Sequence, residues 1–278
     1  MVNTNKILSS TIVVAGLIAM ILIISNSSDE SLKIIERTYG QSNANNTNAN
    51  NTNANTAAVN STTKLPVLLI HGYMEDAIVW NKWIDLLKKD GISAYPITFK
   101  QSDDKCGSAA DHAKELSNII GQIKKETGQN KVNIVGHSKG GLDARVYLAN
   151  NTNDVANLIM IGTPNAGCPL AESCEVGTPA IYDLRPGAAA TKVKMNLNTK
   201  YYTIAGEWNP QSENYQLFFS FEQSGFSSLP IPNDGMVSIS SVESQDYFIN
   251  LGHSKNCHSN LLSEYEYELA KDLILGKK

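Results

Sequence analysis

A short apolar strand that runs into a Gly-x-Ser-x-Gly turn and then a helix constrains this chain more than any other stretch. Residues 132–135 are β-branched except for Asn133, which is typical of a buried strand, and residues 144–150 are predicted to be helical. A strand that reverses sharply into a helix holds its turn residue in strained backbone geometry, and flanking glycines remove Cβ atoms that would collide. The pattern predicts that the hydroxyl of Ser138 stands at the end of a sheet, above a helix N-terminus that favours developing negative charge.

Predicted strands alternate with predicted helices from residue 65 onward. Such alternation predicts an α/β fold, with a mostly parallel central sheet and helices on both faces. Two segments, 163–200 and 206–232, do not fit the alternation and are predicted to be insertions after the later strands. The predicted strands cover 65–70, 92–98, 132–135, 158–161, 201–205 and 247–251, and the other predicted helices cover 77–89, 109–127 and 261–275.

The strand, the turn around Ser138 and the helix resemble the nucleophile elbow of the α/β-hydrolases, and more narrowly that of bacterial and archaeal lipases and esterases. The resemblance covers the chain from about residue 66 to its end. It implies the α/β-hydrolase fold, with the two insertions rising over the active site as a lid or cap. It also implies hydrolysis of carboxylic esters through an acyl-enzyme on Ser138.

A serine hydroxyl needs a histidine base, and in this fold the base follows the last strand. The two histidines expected after that strand are His253 and His258. We favour His258, because the resemblance to lipases includes a histidine that is followed shortly by Leu-Leu, here Leu261 and Leu262. His253 is the alternative base.

The acid and the oxyanion donors are also assigned from the resemblance. Asn-Asp-Gly-x-Val is similar to the stretch that holds the catalytic aspartate of several lipases, which implies Asp234 as the acid, with Glu243 and Asp246 as alternatives. Asn-Asp-Gly is also ordinary turn chemistry. One oxyanion donor is expected to be the backbone N–H of Lys139, and the His-Gly-x-x motif implies that of Tyr73 as the other.

The charge and the residue composition exclude some classes of function and binding partner. The net charge is −4 and the basic residues are scattered, so nothing indicates a nucleic-acid partner. No ligand cluster indicates a metal or a cofactor, and Asn260 stands where some relatives carry a calcium-binding aspartate. The four cysteines match no zinc pattern. We expect disulfides between Cys168 and Cys174 and between Cys106 and Cys257, with free thiols as the alternative.

The first 63 residues differ from the rest of the chain. An uncharged apolar run at 7–24 indicates export, either as a cleaved signal peptide or as a retained membrane anchor. An Asn/Thr-rich repeat follows and is predicted to be a disordered linker. The expected organisation is therefore a leader or anchor at 1–30, a linker at 31–63 and a catalytic domain at 64–278.

Three functions remain in competition. The first is an extracellular or cell-surface lipase or esterase that acts on acyl esters or lipids and associates with a membrane through residues 7–24. The second is a deacylase of another acyl substrate, such as a GPI-type lipid, a thioester or a polyester, since one elbow serves all of these. The third is a membrane-tethered binding protein that uses the same scaffold without catalysis.

Overall fold

The computed structural model of the protein describes residues 64–150, 152–173, 177–210 and 225–277. The apolar run at 7–24 and the Asn/Thr-rich tract lie outside these ranges, so the predictions about a leader, an anchor and a linker concern residues that are not described. Within the described ranges, no helix is both long enough and apolar enough to span a bilayer.

The described residues contain a six-stranded sheet in which every pair of neighbouring strands is parallel. Its strands are β1 (Val67–Ile70), β2 (Ala94–Pro96), β3 (Val132–His137), β4 (Val155–Ile161), β5 (Lys200–Gly206) and β6 (Ile249–Ser254). Their order is β2-β1-β3-β4-β5-β6, so the chain reverses its direction of travel across the sheet between β1 and β3. The loops after these two strands therefore meet at a topological switch point, where open α/β sheets bind ligands.

Helices connect the strands as the alternation predicts: α1 (Asn81–Lys89), α2 (Ala109–Thr127), α3 (Lys139–Leu148), α4 (Pro179–Leu184), α5 (Ile239–Val242) and α6 (Glu264–Ile274). The bounds of α2 match the prediction, because the Ser108 hydroxyl accepts a bond from the Asp111 N–H at one end and Gly128 turns the chain at φ 70° at the other. The last helix begins later than predicted, since Ser263 and Glu266 form a capping box that defines its first turn.

Two apolar cores lie on opposite faces of the sheet. Val67 and Leu69 of β1 point into one core, with Trp83 of α1 and Tyr267 of α6. The alternate residues of β1, Leu68 and Ile70, point into the other core, which also holds residues of α2 and α3. A continuous apolar strand is the expected consequence, because a strand covered on both faces buries every side chain.

Two of the predicted strands differ from the structure for local reasons. The strand predicted at 92–98 is only β2, and it lies at the edge of the sheet, where Pro96 is tolerated although it cannot donate to a ladder. The strand predicted at 247–251 begins at Ile249, because the rings of Tyr247 and Phe248 pack on Tyr201 instead. The expectation that His253 follows the last strand is therefore wrong: His253 lies within β6.

The expected disulfide between Cys106 and Cys257 is also wrong. Cys106 is a free thiol in the loop between β2 and α2, where its Sγ lies 3.2 Å from the Sδ of Met74. Cys257 caps a 3-10 turn (His258–Asn260) that precedes α6. Cys174 lies outside the described residues, so its pairing with Cys168 stays a prediction.

Candidate active site

The nucleophile elbow has the predicted geometry. Ser138 stands between the end of β3 and the start of α3 with φ 51° and ψ −123°, which is the strained conformation expected of the turn residue. The neighbouring glycines are needed for close packing: a Cβ on Gly140 would lie 2.4 Å from the carbonyl oxygen of Ile70, and one on Gly136 would lie 2.6 Å from the backbone nitrogen of Gly141. The sharp turn therefore depends on the absence of side chains two residues before and two residues after Ser138.

The loop after β1, residues 71–75, lies directly beside the elbow, and we call it the oxyanion loop. A Cβ on Gly72 would lie 2.9 Å from the Cβ of Ser138, so the two loops are in contact. Met74 has φ 61°, and its N–H donates to the carbonyl oxygen of Lys105 at 3.0 Å. Tyr73 lies in this loop, and Lys139 is the first residue of α3, a position whose N–H has no acceptor within its own helix.

His258 and Asp234 are brought together as the sequence predicted. The Nδ1 of His258 lies 2.7 Å from the Oδ2 of Asp234, and the carboxylate is fully buried. The other oxygen, Oδ1, accepts bonds from the N–H groups of Met236 and Val237. The Asn-Asp-Gly segment thus forms a turn and also supplies the carboxylate that contacts His258. The turn orients this carboxylate toward the imidazole.

The segment that carries His258 packs against the elbow. The ring centroids of His258 and His137 are 4.9 Å apart, and the Nε2 of His137 lies 3.3 Å from the carbonyl oxygen of His258. A Cβ on Gly162, which follows β4, would lie 3.2 Å from the ring of His258. The predicted base is therefore held against the residue that immediately precedes the predicted nucleophile.

His253, the alternative base, is engaged elsewhere. Its Nε2 lies 2.7 Å from the Oε1 of Glu243, and its side chain is one-third exposed on β6. Glu243, one of the alternative acids, is thereby paired with His253 rather than with His258. The structure brings together His258 and Asp234, and it sets the pair of alternatives apart from them.

Two features near Ser138 were not anticipated. The side chain of Lys139 is buried and forms an ion pair with Asp143, which also accepts from His112. Burial opposes the ionisation of Asp143, but Lys139 and His112 hold the pKa of its carboxyl below the usual value. The i,i+4 spacing of Lys139 and Asp143 is a signal that the sequence does carry.

The second unanticipated feature is Glu75, whose Oε2 lies 2.8 Å from the Nδ1 of His137 and 2.6 Å from the N of Gly72. Burial opposes the ionisation of Glu75, but the imidazole of His137 and the Gly72 N–H lower the pKa of its carboxyl to about 2. No local pattern in the sequence indicates this pair, because its members are 62 residues apart.

Asp104 contacts the oxyanion loop through His71. The Oδ1 of Asp104 lies 2.9 Å from the Nε2 of His71 and accepts a bond from the N–H of Phe99. This contact, together with the bond between Met74 and Lys105, supports the oxyanion loop from the loop that precedes α2.

The chain is similar to proteins that are named as thioesterases, lipases and esterases. A family model described as palmitoyl protein thioesterase matches residues 66–224, more than half of the chain. Two curated relatives are triacylglycerol lipases from Pseudarthrobacter phenanthrenivorans and Burkholderia plantarii, each 32% identical over 120 residues that make up 40% of this chain. That match covers 37% and 33% of the two lipases, so the chain spans only about a third of their length.

Solved structures support the fold. The mature form of the Bacillus licheniformis lipase BlEst2 superposes with a TM-score of 0.64 at 22% identity, covering 77% of this chain and 93% of that one. The metagenomic carboxyl esterase MGS0156 superposes with a TM-score of 0.59 at 14% identity, covering 78% of this chain and 77% of that one. The central parallel sheet with its helices is therefore an α/β-hydrolase fold, as the sequence predicted.

Proposed function

The chain belongs to the palmitoyl protein thioesterase family, and we propose that it is a serine hydrolase of the lipase and esterase type that cleaves acyl esters through an acyl-enzyme on Ser138. The observation that carries this proposal is the buried contact between His258 and Asp234, 2.7 Å long, beside an elbow whose serine has φ 51°. A base oriented by a carboxylate next to a strained serine is the arrangement that acyl transfer requires.

The proposed reaction follows from these positions. Asp234 fixes the imidazole of His258 with a proton on Nδ1, so that Nε2 takes the proton of the Ser138 hydroxyl as its oxygen attacks the acyl carbonyl carbon. The backbone N–H groups of Tyr73 and Lys139 stabilise the resulting oxyanion. Collapse of this intermediate breaks the ester bond, and His258 protonates the departing alcohol. Water then attacks the acyl-enzyme with His258 again as the base, and this step releases the acid and regenerates Ser138.

A fluorophosphonate probe tests the mechanism. We expect the wild-type protein to be labelled covalently and Ser138→Ala to be unlabelled and inactive toward p-nitrophenyl esters, because the probe reacts only with an activated nucleophile. A folded wild-type protein that takes no label would favour the binding protein on the same scaffold. Labelling that persists in Ser138→Ala would place the nucleophile elsewhere.

A thioesterase is the second candidate, and the family match favours it. An elbow of this kind attacks an acyl thioester and an acyl ester by the same steps, so the fold does not distinguish the two. The ratio of kcat/KM for matched S-acyl and O-acyl substrates, measured over a series of acyl-chain lengths, decides between them. A maximum at short O-acyl chains indicates an esterase, one at long O-acyl chains a lipase, and a preference for S-acyl chains a thioesterase. GPI-type lipids and polyesters can be assayed in the same series.

We also propose that the protein is exported and acts outside the cell or at its surface. The support for this proposal is the uncharged apolar run at 7–24, which follows Lys6 near the N-terminus. Fractionation of cells that express the full chain tests it. The enzyme is expected in the medium if the run is cleaved and in the membrane fraction if it is retained, and activity confined to the cytosol would contradict export.

A further inference from the structure

We propose that Glu75 is a positioning residue whose carboxylate joins the oxyanion loop to the nucleophile elbow and, through His137, to the segment that carries His258. This inference rests on the function proposed above. Glu75 is not expected to touch the substrate. It acts by fixing the relative positions of the oxyanion loop, Ser138 and His258, which are expected to contact the substrate.

A single carboxylate oxygen makes the first two connections. The Oε2 of Glu75 accepts a bond from the N–H of Gly72 at 2.6 Å and one from the Nδ1 of His137 at 2.8 Å. The oxyanion loop and the elbow come from different strands, β1 and β3, and are far apart in sequence. Because both loops bind the same oxygen of Glu75, this oxygen fixes the distance between the predicted oxyanion donor, the N–H of Tyr73, and the predicted nucleophile, Ser138.

His137 makes the third connection. Its Nε2 lies 3.3 Å from the carbonyl oxygen of His258, and its side chain is only 1% exposed. Both ring nitrogens of His137 therefore face acceptor oxygens, one on the Glu75 carboxylate and one on the backbone of His258. The contact with Glu75 thus orients a ring that packs directly on the backbone of the predicted base.

The charges of the pair suit the neighbouring chemistry. An uncompensated carboxylate beside the oxyanion loop would repel the negative charge that develops on the substrate oxygen. The Gly72 N–H and the His137 imidazole both contact this carboxylate and compensate its charge, so Glu75 can hold the loops without opposing the reaction. Because the N–H of Gly72 is already bound to Glu75, it shapes the loop rather than stabilising the oxyanion.

Substitution of Glu75 separates positioning from substrate binding. We expect Glu75→Gln to lower kcat for p-nitrophenyl butyrate by about tenfold to a hundredfold, because small displacements of reacting groups have effects of this size. We expect KM to change by less than about threefold, since the substrate contacts themselves are kept. The matched control is Glu243→Gln, which removes the carboxylate of the His253 pair on β6 and should leave kcat and KM unchanged.

A double-mutant cycle supplies the readout that a general loss of stability would not give. His137→Asn leaves Glu75 unpaired beside the oxyanion loop, so it should lower kcat more than Glu75→Gln does. The double variant should lose no more activity than His137→Asn alone, because the two residues act as one unit. Independent, multiplying effects on kcat would overturn the proposal, and so would a kcat that is unchanged in Glu75→Gln.

Folding and function are controlled separately. Thermal unfolding establishes that each variant is folded, and if Glu75→Gln is not, then Glu75→Asp serves instead. That substitution keeps the charge but is too short to reach both Gly72 and His137, so a loss in kcat at constant KM is again expected and an unchanged kcat again overturns the proposal. Fluorophosphonate labelling of the wild-type protein distinguishes a failure of the proposed function from a failure of this inference about Glu75. An unlabelled wild type refutes the proposed function, whereas a labelled wild type with unaffected Glu75 variants refutes only this inference.

Discussion

Each of the five histidines in the chain lies within hydrogen-bonding distance of a carboxylate, so pairing alone does not identify the base. His71, His112 and His137 each have an acceptor oxygen at both ring nitrogens. A ring that is committed in this way cannot also accept the proton of a serine. His253 faces Glu243 with its Nε2. These contacts favour His258, whose Nδ1 meets the fully buried Asp234.

The acid partner of His258 can be tested against the partner of His253. We expect Asp234→Asn to lower kcat by roughly 10⁴-fold, because an amide stabilises the wrong tautomer of the base and cannot offset its positive charge. Glu243→Gln should change kcat by less than about twofold, as expected for a surface pair. Steady-state rates with p-nitrophenyl butyrate measure both. A larger loss in Glu243→Gln than in Asp234→Asn would reassign the base to His253.

Glu75 predicts a specific dependence of stability on pH. Its pKa is about 2 in the folded protein and close to 4.5 when exposed, so ionised Glu75 stabilises the fold at every pH above about 4.5. This contribution declines as the pH falls from about 4.5 toward 2, where the folded-state carboxyl takes up its proton. Urea unfolding of the wild type and Glu75→Gln should therefore show a constant difference in the free energy of unfolding above about pH 5 and a shrinking one below it. A difference that stays constant down to pH 2.5 would contradict the depressed pKa.

At the scale of elements, the contact between α3 and strands β1 and β3 determines where Ser138 lies. Gly136 is the residue before the last of β3 and Gly140 is the second residue of α3, and both let backbone approach backbone more closely than any side chain permits. The loop that precedes α2 supports the same region through the contact of Asp104 with His71. The site is therefore built at the ends of elements whose positions are set by the two cores.

The close approach at Gly140 predicts a large effect from a single methyl group. Gly140→Ala should destabilise the protein by about 2 kcal/mol or more and reduce labelling of Ser138, because its Cβ would meet the carbonyl oxygen of Ile70 at 2.4 Å. The matched control is Gly121→Ala in the middle of α2, where no atom lies within 4 Å of the new Cβ. This control should stabilise the protein by about 0.5 to 1 kcal/mol. Urea midpoints measure both, and equal shifts would show that the packing at the elbow is not tight.

At the scale of the molecule, the described residues from 64 onward contain both cores, the whole described sheet and all of the proposed catalytic residues. The family model begins at residue 66, within two residues of the predicted start of the catalytic domain.

Removal of residues 1–63 tests that division. A chain that starts at Lys64 should fold and hydrolyse soluble p-nitrophenyl esters with kcat/KM within about twofold of the full chain, since the sequence predicts a leader or anchor and a disordered linker before that residue. Thermal unfolding and steady-state kinetics on both proteins provide the comparison. Loss of folding or of activity would show that the first 63 residues contribute to the catalytic domain.

Local physics alone determined much of this protein. Burial on both faces makes a strand such as β1 continuously apolar, caps such as Ser108 and Gly128 define helix ends, and the glycines around Ser138 permit one turn conformation. These are properties of neighbouring residues, so the alternation of elements and the elbow could be predicted. The bounds of β6 could not be predicted, because the rings of Tyr247 and Phe248 pack on Tyr201, a contact between residues far apart in sequence, instead of extending the strand.

Only the tertiary structure decided which distant groups meet. The sequence contains five histidines and many carboxylates, and it does not show which of them form pairs. The folding of separate loops onto one end of the sheet pairs His258 with Asp234 and His137 with Glu75. The same packing left Cys106 as a free thiol against Met74 instead of joining it to Cys257. Which groups form a pair depends on the position of each loop after the cores have formed. The distance between two loops in the folded protein cannot be read from the order of residues in the sequence.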